Sequence, residues 1–167
     1  MSGEITYRRY AGCPSPKPKY LTDSISGAYY GYWTTTVGAI SQSFADKMSG
    51  DALCSLYNNL PVSHRMDLIF NERQNIRNLV LDFWAKASNA LGLLVYTMAG
   101  IGDFTSYTMR AVNILTTWAR YIVPMDTFSA SVGNRGNTLV RNKSLAFYNN
   151  GAQSDIYLSG MTIRRLP

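Results

Sequence analysis

The feature of the sequence that most constrains its fold is a long stretch in which apolar residues recur at steps of three and four. The stretch begins at Ser63, a residue type that favours helix starts, and ends at Met98. The positions that share this spacing are Met66, Ile69, Phe70, Ile76, Val80, Phe83, Trp84, Ala87, Leu91, Leu94, Val95 and Met98. One continuous helix here would be about 54 Å long at 1.5 Å per residue. The stretch therefore predicts either a helix that kinks near 88–92 or a helix that extends into an assembly.

Helical spacing continues on both sides of this stretch. Residues 25–48 follow the same steps, although three glycines and the threonine run at 34–36 favour a strand or a kink. A short helix is predicted at 51–60, and another at 103–122, where Pro124 would stop it. We therefore predict that residues 23–126 form a helical body.

The two ends of the chain differ from this body. Residues 1–22 alternate proline with serine and lysine, which favours an extended basic arm. Residues 127–167 form a basic tail that is rich in glycine and asparagine, and its alternating runs at 139–148 and 155–165 indicate strands. The predicted fold class is mainly α: a helical bundle with an extended N-terminal arm and a small antiparallel β hairpin region at the C-terminus.

Charge is sparse in this chain and is concentrated at its ends. Charged residues make up 16% of the sequence, against about 25% in a typical soluble domain, while hydrophobic residues make up 46%. This balance predicts that other subunits cover much of the surface. The net charge is +6, from 16 basic and 10 acidic residues. Basic ends suit either binding to a polyanion or simple solubility.

Patterns typical of catalysis or metal binding are scarce. His64 lies at a predicted helix start, where a surface or capping role is usual. Cys13 and Cys54 have no local partner, so they are either incidental thiols or one disulfide. One histidine and two scattered cysteines assemble no standard metal site. We therefore predict no enzyme, no cofactor, no metal and no small-molecule substrate.

No membrane partner is predicted either. The longest apolar run, at 90–101, is shorter than the roughly 20 residues that a membrane helix needs. The first residues lack the apolar core of a signal peptide. The chain is therefore expected to be soluble and intracellular at synthesis.

Four arginines on the predicted helices have two interpretations. Arg73 and Arg77 lie one helical turn apart among acidic residues, which suits a solvated face with ion pairs. Alternatively the same face contacts phosphates, and Arg110 and Arg120 on the next helix extend the strip. On this second interpretation the four arginines are the predicted nucleic-acid-binding residues.

A tyrosine-rich segment is the best candidate for a subunit contact. Tyr29, Tyr30 and Tyr32 would point to several sides of the first predicted helix, more than one core face can absorb. Tyrosine suits interfaces because its ring is apolar and its tip is polar. We therefore predict that these three residues lie in a subunit interface.

Two segments resemble the coat proteins of rod-shaped plant viruses of the tobacco mosaic type. The segment from Arg73 to Lys86 is similar to that family's helix of arginine, valine, an aromatic residue and Trp-Lys. The segment from Met109 to Leu115 is similar to a later helix of the family that carries an RNA-facing arginine. The resemblance implies a helical nucleoprotein coat and assigns Arg73 and Arg110 to RNA contact.

These observations together predict a structural virion coat (capsid) protein. It would self-assemble into a filament of helical symmetry around single-stranded nucleic acid, with RNA favoured, and bind the phosphate backbone without sequence specificity. Its location would be the virion, and the host cytoplasm before assembly. The alternatives are a non-viral filament or cage subunit without nucleic acid, and a small enzyme with an unrecognised site.

Overall fold

The computed structural model describes residues 31–37, 40–43, 45–46, 55–77, 79–133 and 141–165. Within these ranges the chain forms eleven β-strands and one short 3-10 turn, and no α-helix. In chain order the strands are β1 Gly31–Thr35, β2 Ser41–Ser43, β3 Ser55–Leu60, β4 Arg65–Gln74, β5 Leu79–Ala87, β6 Leu91–Met98, β7 Tyr107–Ile114, β8 Ala119–Pro124, β9 Ser129–Val132, β10 Asn142–Asn149 and β11 Ser154–Arg165. The predicted helical bundle is therefore wrong.

The strands form two antiparallel sheets packed face to face as a β-sandwich. One sheet has six strands in the order β1-β4-β10-β6-β7-β9, and the other has five in the order β2-β3-β11-β5-β8. The chain passes repeatedly from one sheet to the other, so most neighbouring strands are distant in sequence. Strands from both the predicted body and the predicted tail take part in each sheet. Among the described residues there is no helix with the length and hydropathy needed to cross a membrane.

The core lies between the two sheets and is filled by alternate residues of their strands. Phe70 comes from β4, Phe83 from β5 and Phe147 from β10, and all three side chains are fully buried. Phe83 and Phe147 meet edge to face, with ring centroids 5.7 Å apart. These contacts join the inner faces of the two sheets.

The long predicted helix is replaced by three consecutive strands, β4, β5 and β6. Every side chain from Leu79 to Phe83 is buried, although successive residues of a strand point to opposite faces. Because both faces of β5 are covered, its apolar residues run almost continuously and also fit helical steps of three and four. β4 ends at Gln74 and β5 begins at Leu79, and residues 88–90 separate β5 from β6.

The other predicted helices are also strands where the structure describes them. β1 and β2 occupy the described part of 25–48, and the threonine run that favoured a strand begins in β1. β3 replaces the helix at 51–60, and β7 and β8 replace the helix at 103–122. The predicted arm at 1–22 lies outside the described residues and stays a prediction.

The two strands predicted in the tail are present, at Asn142–Asn149 and Ser154–Arg165. They do not form the predicted hairpin. β10 lies between β4 and β6 in the six-stranded sheet, whereas β11 lies between β3 and β5 in the five-stranded sheet. The Asn149–Ser154 connection therefore carries the chain from one sheet to the other.

Candidate functional site

The outer face of the six-stranded sheet carries a compact group of apolar side chains. Tyr96, Met98 and Ala146 are buried there, outside the main core. Strand pairing explains the group, since Tyr96 lies opposite Ala146 of β10 on one side and Met109 of β7 on the other. The partly buried residues that pack against it are Leu94, Tyr107, Met109 and Tyr148.

Four aromatic rings meet on this face, and we call Tyr96, Phe104, Tyr107 and Tyr148 the aromatic cluster. The ring centroid of Tyr96 lies 5.0 Å from that of Tyr107, 5.7 Å from that of Tyr148 and 5.6 Å from that of Phe104. All three contacts are edge to face, an arrangement that aromatic quadrupoles favour. Tyr96 is 7% exposed at the base of the cluster, and Phe104 is 39% exposed at its top.

Phe104 belongs to the loop between β6 and β7, and local backbone chemistry shapes this loop. Gly102 has a φ of +65°, a conformation that glycine adopts without steric cost. The Asp103 carboxylate accepts a hydrogen bond from the backbone N–H of Thr105 at 3.0 Å and another from its hydroxyl. These hydrogen bonds lower the pKa of Asp103. The loop is thereby turned so that Phe104 faces the tyrosines.

Arg65 holds Phe104 from the side of β4. Its guanidinium carbon lies 5.3 Å from the Phe104 ring centroid, within cation–π distance. A Cβ atom on Gly102 would come within 2.8 Å of an Arg65 terminal nitrogen, so only glycine fits here without displacing the arginine. The loop and the arginine therefore position each other.

Asp67 in turn fixes Arg65. The Arg65 Nε donates to both Asp67 carboxylate oxygens at 2.9 Å, and Asp67 is only 2% exposed. Burial raises the pKa of Asp67, and the charge of Arg65 and its hydrogen bonds oppose this rise. A buried carboxylate, a guanidinium and an exposed aromatic ring are thus stacked outward from the sheet.

Two of the predicted phosphate-binding arginines, Arg73 and Arg77, are not aligned on a helix. Arg73 lies near the end of β4 and donates to the backbone carbonyls of Ala99 and Arg141. Arg77 lies in the turn after β4, where its backbone N–H donates to the Asn75 side chain at 3.1 Å. The expected strip on one helix face does not exist.

The other two predicted arginines lie in different sheets. Arg110 is in β7 and donates to the Thr127 hydroxyl. Arg120 is in β8 and binds both carboxylate oxygens of Asp82, at 2.9 and 2.6 Å, which raises the pKa of Arg120. The assignment of all four arginines as contact residues stays a prediction.

The remaining candidates from the sequence lie partly outside the described residues. Tyr29, Tyr30 and both cysteines lie outside the described residues. Tyr32 lies in β1, opposite Ile69 of β4. The interface role of the three tyrosines stays a prediction. His64 precedes β4 rather than a helix, with its Nδ1 3.2 Å from the Thr36 hydroxyl. In the described ranges no three histidine, cysteine or acidic residues are grouped to hold a metal.

The sequence contained one pattern that points to the aromatic cluster. Tyr96 and Met98 are two residues apart, as are Tyr107 and Met109, which is the period of a strand with one apolar face. The helical interpretation concealed this period. It also gave no reason to consider Phe104 or Arg65.

Comparisons with known proteins identify the fold. No protein-family model matches the chain, and no curated protein sequence matches it. A family 30 carbohydrate-binding module matches with a TM-score of 0.59 at 12% identity, over 100% of this chain and 90% of the module. The family 11 module of cellulosomal cellulase Lic26A-Cel5E of Clostridium thermocellum matches with a TM-score of 0.55 at 12% identity. The match covers 99% of this chain and 96% of the module. A family 11 module of the same organism, in complex with a β-1,3-1,4-mixed-linked tetrasaccharide, matches with a TM-score of 0.53 at 14% identity. That match covers 86% of this chain and 93% of the module.

These comparisons correct the functional predictions as well as the fold. The resemblance to tobacco mosaic-type coat proteins is wrong, because the chain has the β-sandwich of these modules and not a helical bundle. The predicted capsid function, the helical filament and the RNA partner are also wrong, since the similar structures are modules that bind carbohydrate. The predicted virion or host-cytoplasm location is wrong for the same reason, since one such module belongs to a cellulosomal enzyme.

The comparisons also bear on catalysis at the level of fold. The similar structures are described as binding modules, which agrees with a chain that is not an enzyme. At 12 to 14% identity, the likeness establishes a shared architecture. The chain therefore has the β-sandwich fold found in carbohydrate-binding modules.

Proposed function

We propose that this domain is a non-catalytic module that binds a carbohydrate chain on the outer face of its six-stranded sheet. The observation that carries the proposal is the aromatic cluster, which brings four rings to one sheet face of a fold shared with carbohydrate-binding modules. A sugar ring presents C–H groups on its faces and hydroxyls around its rim. Aromatic rings suit the faces, and hydrogen-bond donors suit the rim.

The members of the cluster have different roles in this proposal. Phe104, Tyr107 and Tyr148 keep exposed surface and would contact the ligand, with the two phenols hydrogen-bonding to sugar hydroxyls. Tyr96 is buried beneath them and is a positioning residue. Arg65 is held through Nε by Asp67, and its terminal nitrogens carry donors for the rim of a sugar stacked on Phe104.

Removing exposed rings from this face should weaken binding. An aromatic contact contributes about 0.5–1.5 kcal/mol beyond the area it buries, so Phe104→Ala and Tyr107→Ala should each lower affinity about threefold to tenfold. The test is affinity electrophoresis in native gels that contain mixed-linked β-glucan, hydroxyethylcellulose or xylan. Because the net charge is +6, the gels are run toward the cathode.

Leu115→Ala is the matched control for these variants. Leu115 is 49% exposed in the turn between β7 and β8, so its truncation removes apolar surface away from the aromatic cluster. We expect Leu115→Ala to be retarded like the wild type. Wild-type protein that no polysaccharide retards, or Phe104→Ala and Tyr107→Ala variants that are retarded like Leu115→Ala, would refute the proposal.

A further inference from the structure

The outer face of the five-stranded sheet carries a second group of aromatic residues, on the opposite side of the sandwich. Tyr57 of β3 lies directly opposite Tyr157 of β11, which lies directly opposite Lys86 of β5. Trp118 immediately precedes β8, with its ring centroid 6.5 Å from that of Tyr157. The centroids of Tyr57 and Tyr157 are 5.2 Å apart. We call Tyr57, Tyr157 and Trp118 the aromatic row.

This row runs across the strands rather than along them. The strand order β3-β11-β5-β8 places its three rings over four adjacent strands. The ring centroids are 5.2 and 6.5 Å apart from one ring to the next, so the row spans about two strand spacings of roughly 4.8 Å. All three side chains are half-buried, so each keeps some exposed surface.

A hydrogen-bond network fixes one end of the row. The Asp155 carboxylate accepts from the Tyr57 hydroxyl at 2.9 Å and from the Asn59 amide at 2.7 Å. The Gln153 amide donates in turn to Asn59. This hydrogen bond to Asp155, together with burial, raises the pKa of Tyr57. Polar groups of this kind, fixed beside an aromatic ring, match the hydroxylated rim of a sugar.

The charges of this face favour an uncharged ligand. Lys86 is paired with Asp46, and its Nζ lies 5.3 Å from the Tyr157 ring centroid. Arg120 is paired with Asp82 through both carboxylate oxygens. The two basic residues whose side chains are described here are therefore already neutralised. A phosphate or uronate chain would have to compete with these carboxylates, whereas a neutral polyol would not.

Two polar atoms beside the row are buried without a partner among the described residues. Ser159 of β11 lies opposite Trp84 of β5, one alternation step from Tyr157 and Lys86. The buried Ser159 hydroxyl and the buried Trp84 Nε1 have no hydrogen-bond partner within the described ranges. Buried polar groups are nearly always hydrogen-bonded, so an ordered water beneath the row would complete both.

From these observations we infer that the aromatic row is a second binding site for a neutral carbohydrate chain, independent of the aromatic cluster. The inference rests on the proposed function for the class of ligand. The two sites face away from each other on opposite sheets, so one protein molecule would bind two separate polysaccharide chains. Such a bivalent module crosslinks a soluble polysaccharide and binds an insoluble one with avidity.

Four proteins test this inference, each examined with mixed-linked β-glucan, hydroxyethylcellulose and xylan. They are the wild type, a cluster variant (Phe104→Ala with Tyr107→Ala), a row variant (Tyr157→Ala with Trp118→Ala), and the combination of both. Retardation in affinity gels measures binding, and light scattering of dilute polysaccharide measures crosslinking. We expect the cluster and row variants each to keep part of the retardation, reduced at least threefold. Only the wild type should crosslink, and the combined variant should not bind.

Two further variants separate a loss of binding from a loss of folding. Ile122→Ala is the matched control, because Ile122 is 50% exposed on β8 of the same face but lies outside the row. Trp118→Ala alone, at a half-buried position before β8, replaces the row variant if the double substitution does not fold. Unfolding transitions monitored by circular dichroism identify any misfolded variant.

The possible outcomes lead to different conclusions. If the row variant crosslinks and is retarded like the wild type, the second site is refuted and the aromatic cluster alone binds. If the cluster variant is unaffected while the row variant loses all binding, the row is a site but the proposed function is assigned to the wrong face. If none of the three polysaccharides binds the wild type, both proposals are refuted. The same proteins are also run in gels that contain polygalacturonate. Retardation of the wild type there, but by no neutral polysaccharide, would refute the inferred ligand class.

Discussion

At the scale of single residues, the candidate site depends on a carboxylate that the fold has almost removed from water. Asp67 is 2% exposed, and it holds Arg65 beside Phe104. Burial disfavours a charged carboxyl, while the neighbouring guanidinium favours it. Of these opposing effects burial is the larger, so the pKa of Asp67 is raised above its usual value of 3.8.

The raised pKa of Asp67 predicts how stability depends on pH. In the window just above pH 3.8, the folded state keeps a proton on Asp67 that the unfolded chain has lost. The stabilising contribution of Asp67 is therefore fully present below this window and is lost as pH rises through the folded-state pKa. We expect the free energy of unfolding of the wild type, relative to Asp67→Asn, to fall as pH rises through this window. Urea denaturation of both proteins at a series of pH values measures this difference in the free energy of unfolding.

Asp67→Asn is a suitable reference because asparagine keeps the shape of the side chain without a titrating proton. A relative stability that instead increases as pH rises would contradict the prediction. It would mean that the ion pair with Arg65 outweighs burial and lowers the pKa of Asp67.

At the scale of structural elements, the loop between β6 and β7 should depend on one glycine. Gly102→Ala places a side chain at a φ of +65°, where an L-residue costs about 1–2 kcal/mol, and its Cβ would lie 2.8 Å from Arg65. We expect a stability loss of that size and a fall in polysaccharide retardation, because Arg65 and Phe104 can no longer keep their contact. Thermal unfolding and affinity electrophoresis measure the two effects.

Gly92→Ala is the matched control for this loop prediction. Gly92 lies in β6, where a Cβ would meet no atom within 4 Å and φ is not positive. The variant should be at least as stable as the wild type and bind equally. If Gly102→Ala behaves in the same way as Gly92→Ala, the loop does not position the site as described.

Sequence patterns predicted some elements of this fold and concealed others, for a physical reason. Short apolar runs at 145–148 and 156–158 flank the turn-forming residues Asn149, Asn150 and Gly151, so the positions of β10 and β11 could be predicted. β5 is buried on both faces from Leu79 to Phe83, and a nearly continuous apolar run fits helical and strand periods equally well. Asparagine and serine at 75–78 and 88–90 are typical of turn sequences and indicate breaks between strands, a signal that the helical interpretation does not use.

The candidate site was less accessible to sequence reasoning than the strands. Tyr96 and Tyr107 are joined by a register that pairs Tyr96 with Met109 and Met98 with Tyr107. Tyr148 reaches them only because β10 inserts between β4 and β6. Such contacts depend on the order of strands in the sheet, which local periodicity does not specify.

At the scale of the whole molecule, the sparse charge has an explanation other than coverage by subunits. The sandwich buries residues on the outer faces of its sheets as well as between them. Ile69, Met98 and Ser144 are at most 3% exposed on the outer face of the six-stranded sheet, and Val80 is 1% exposed on that of the other. An apolar composition is therefore compatible with a single folded domain that keeps aromatic rings exposed on two faces.

The central claim is that carbohydrate binds to the aromatic cluster, and an amide chemical-shift titration tests it most directly. The measurement uses the 15N-labelled wild type and the β-1,3-1,4-mixed-linked glucose tetrasaccharide. We expect the largest shifts in β6, β7, β10 and the loop at 99–106, and a second set in β3, β11 and β8. The claim would be contradicted by a spectrum that the sugar leaves unchanged, or by shifts confined to the shallow depression at the end of the sandwich lined by Ala90, Leu91, Gly92, Asn113, Ile114 and Leu115.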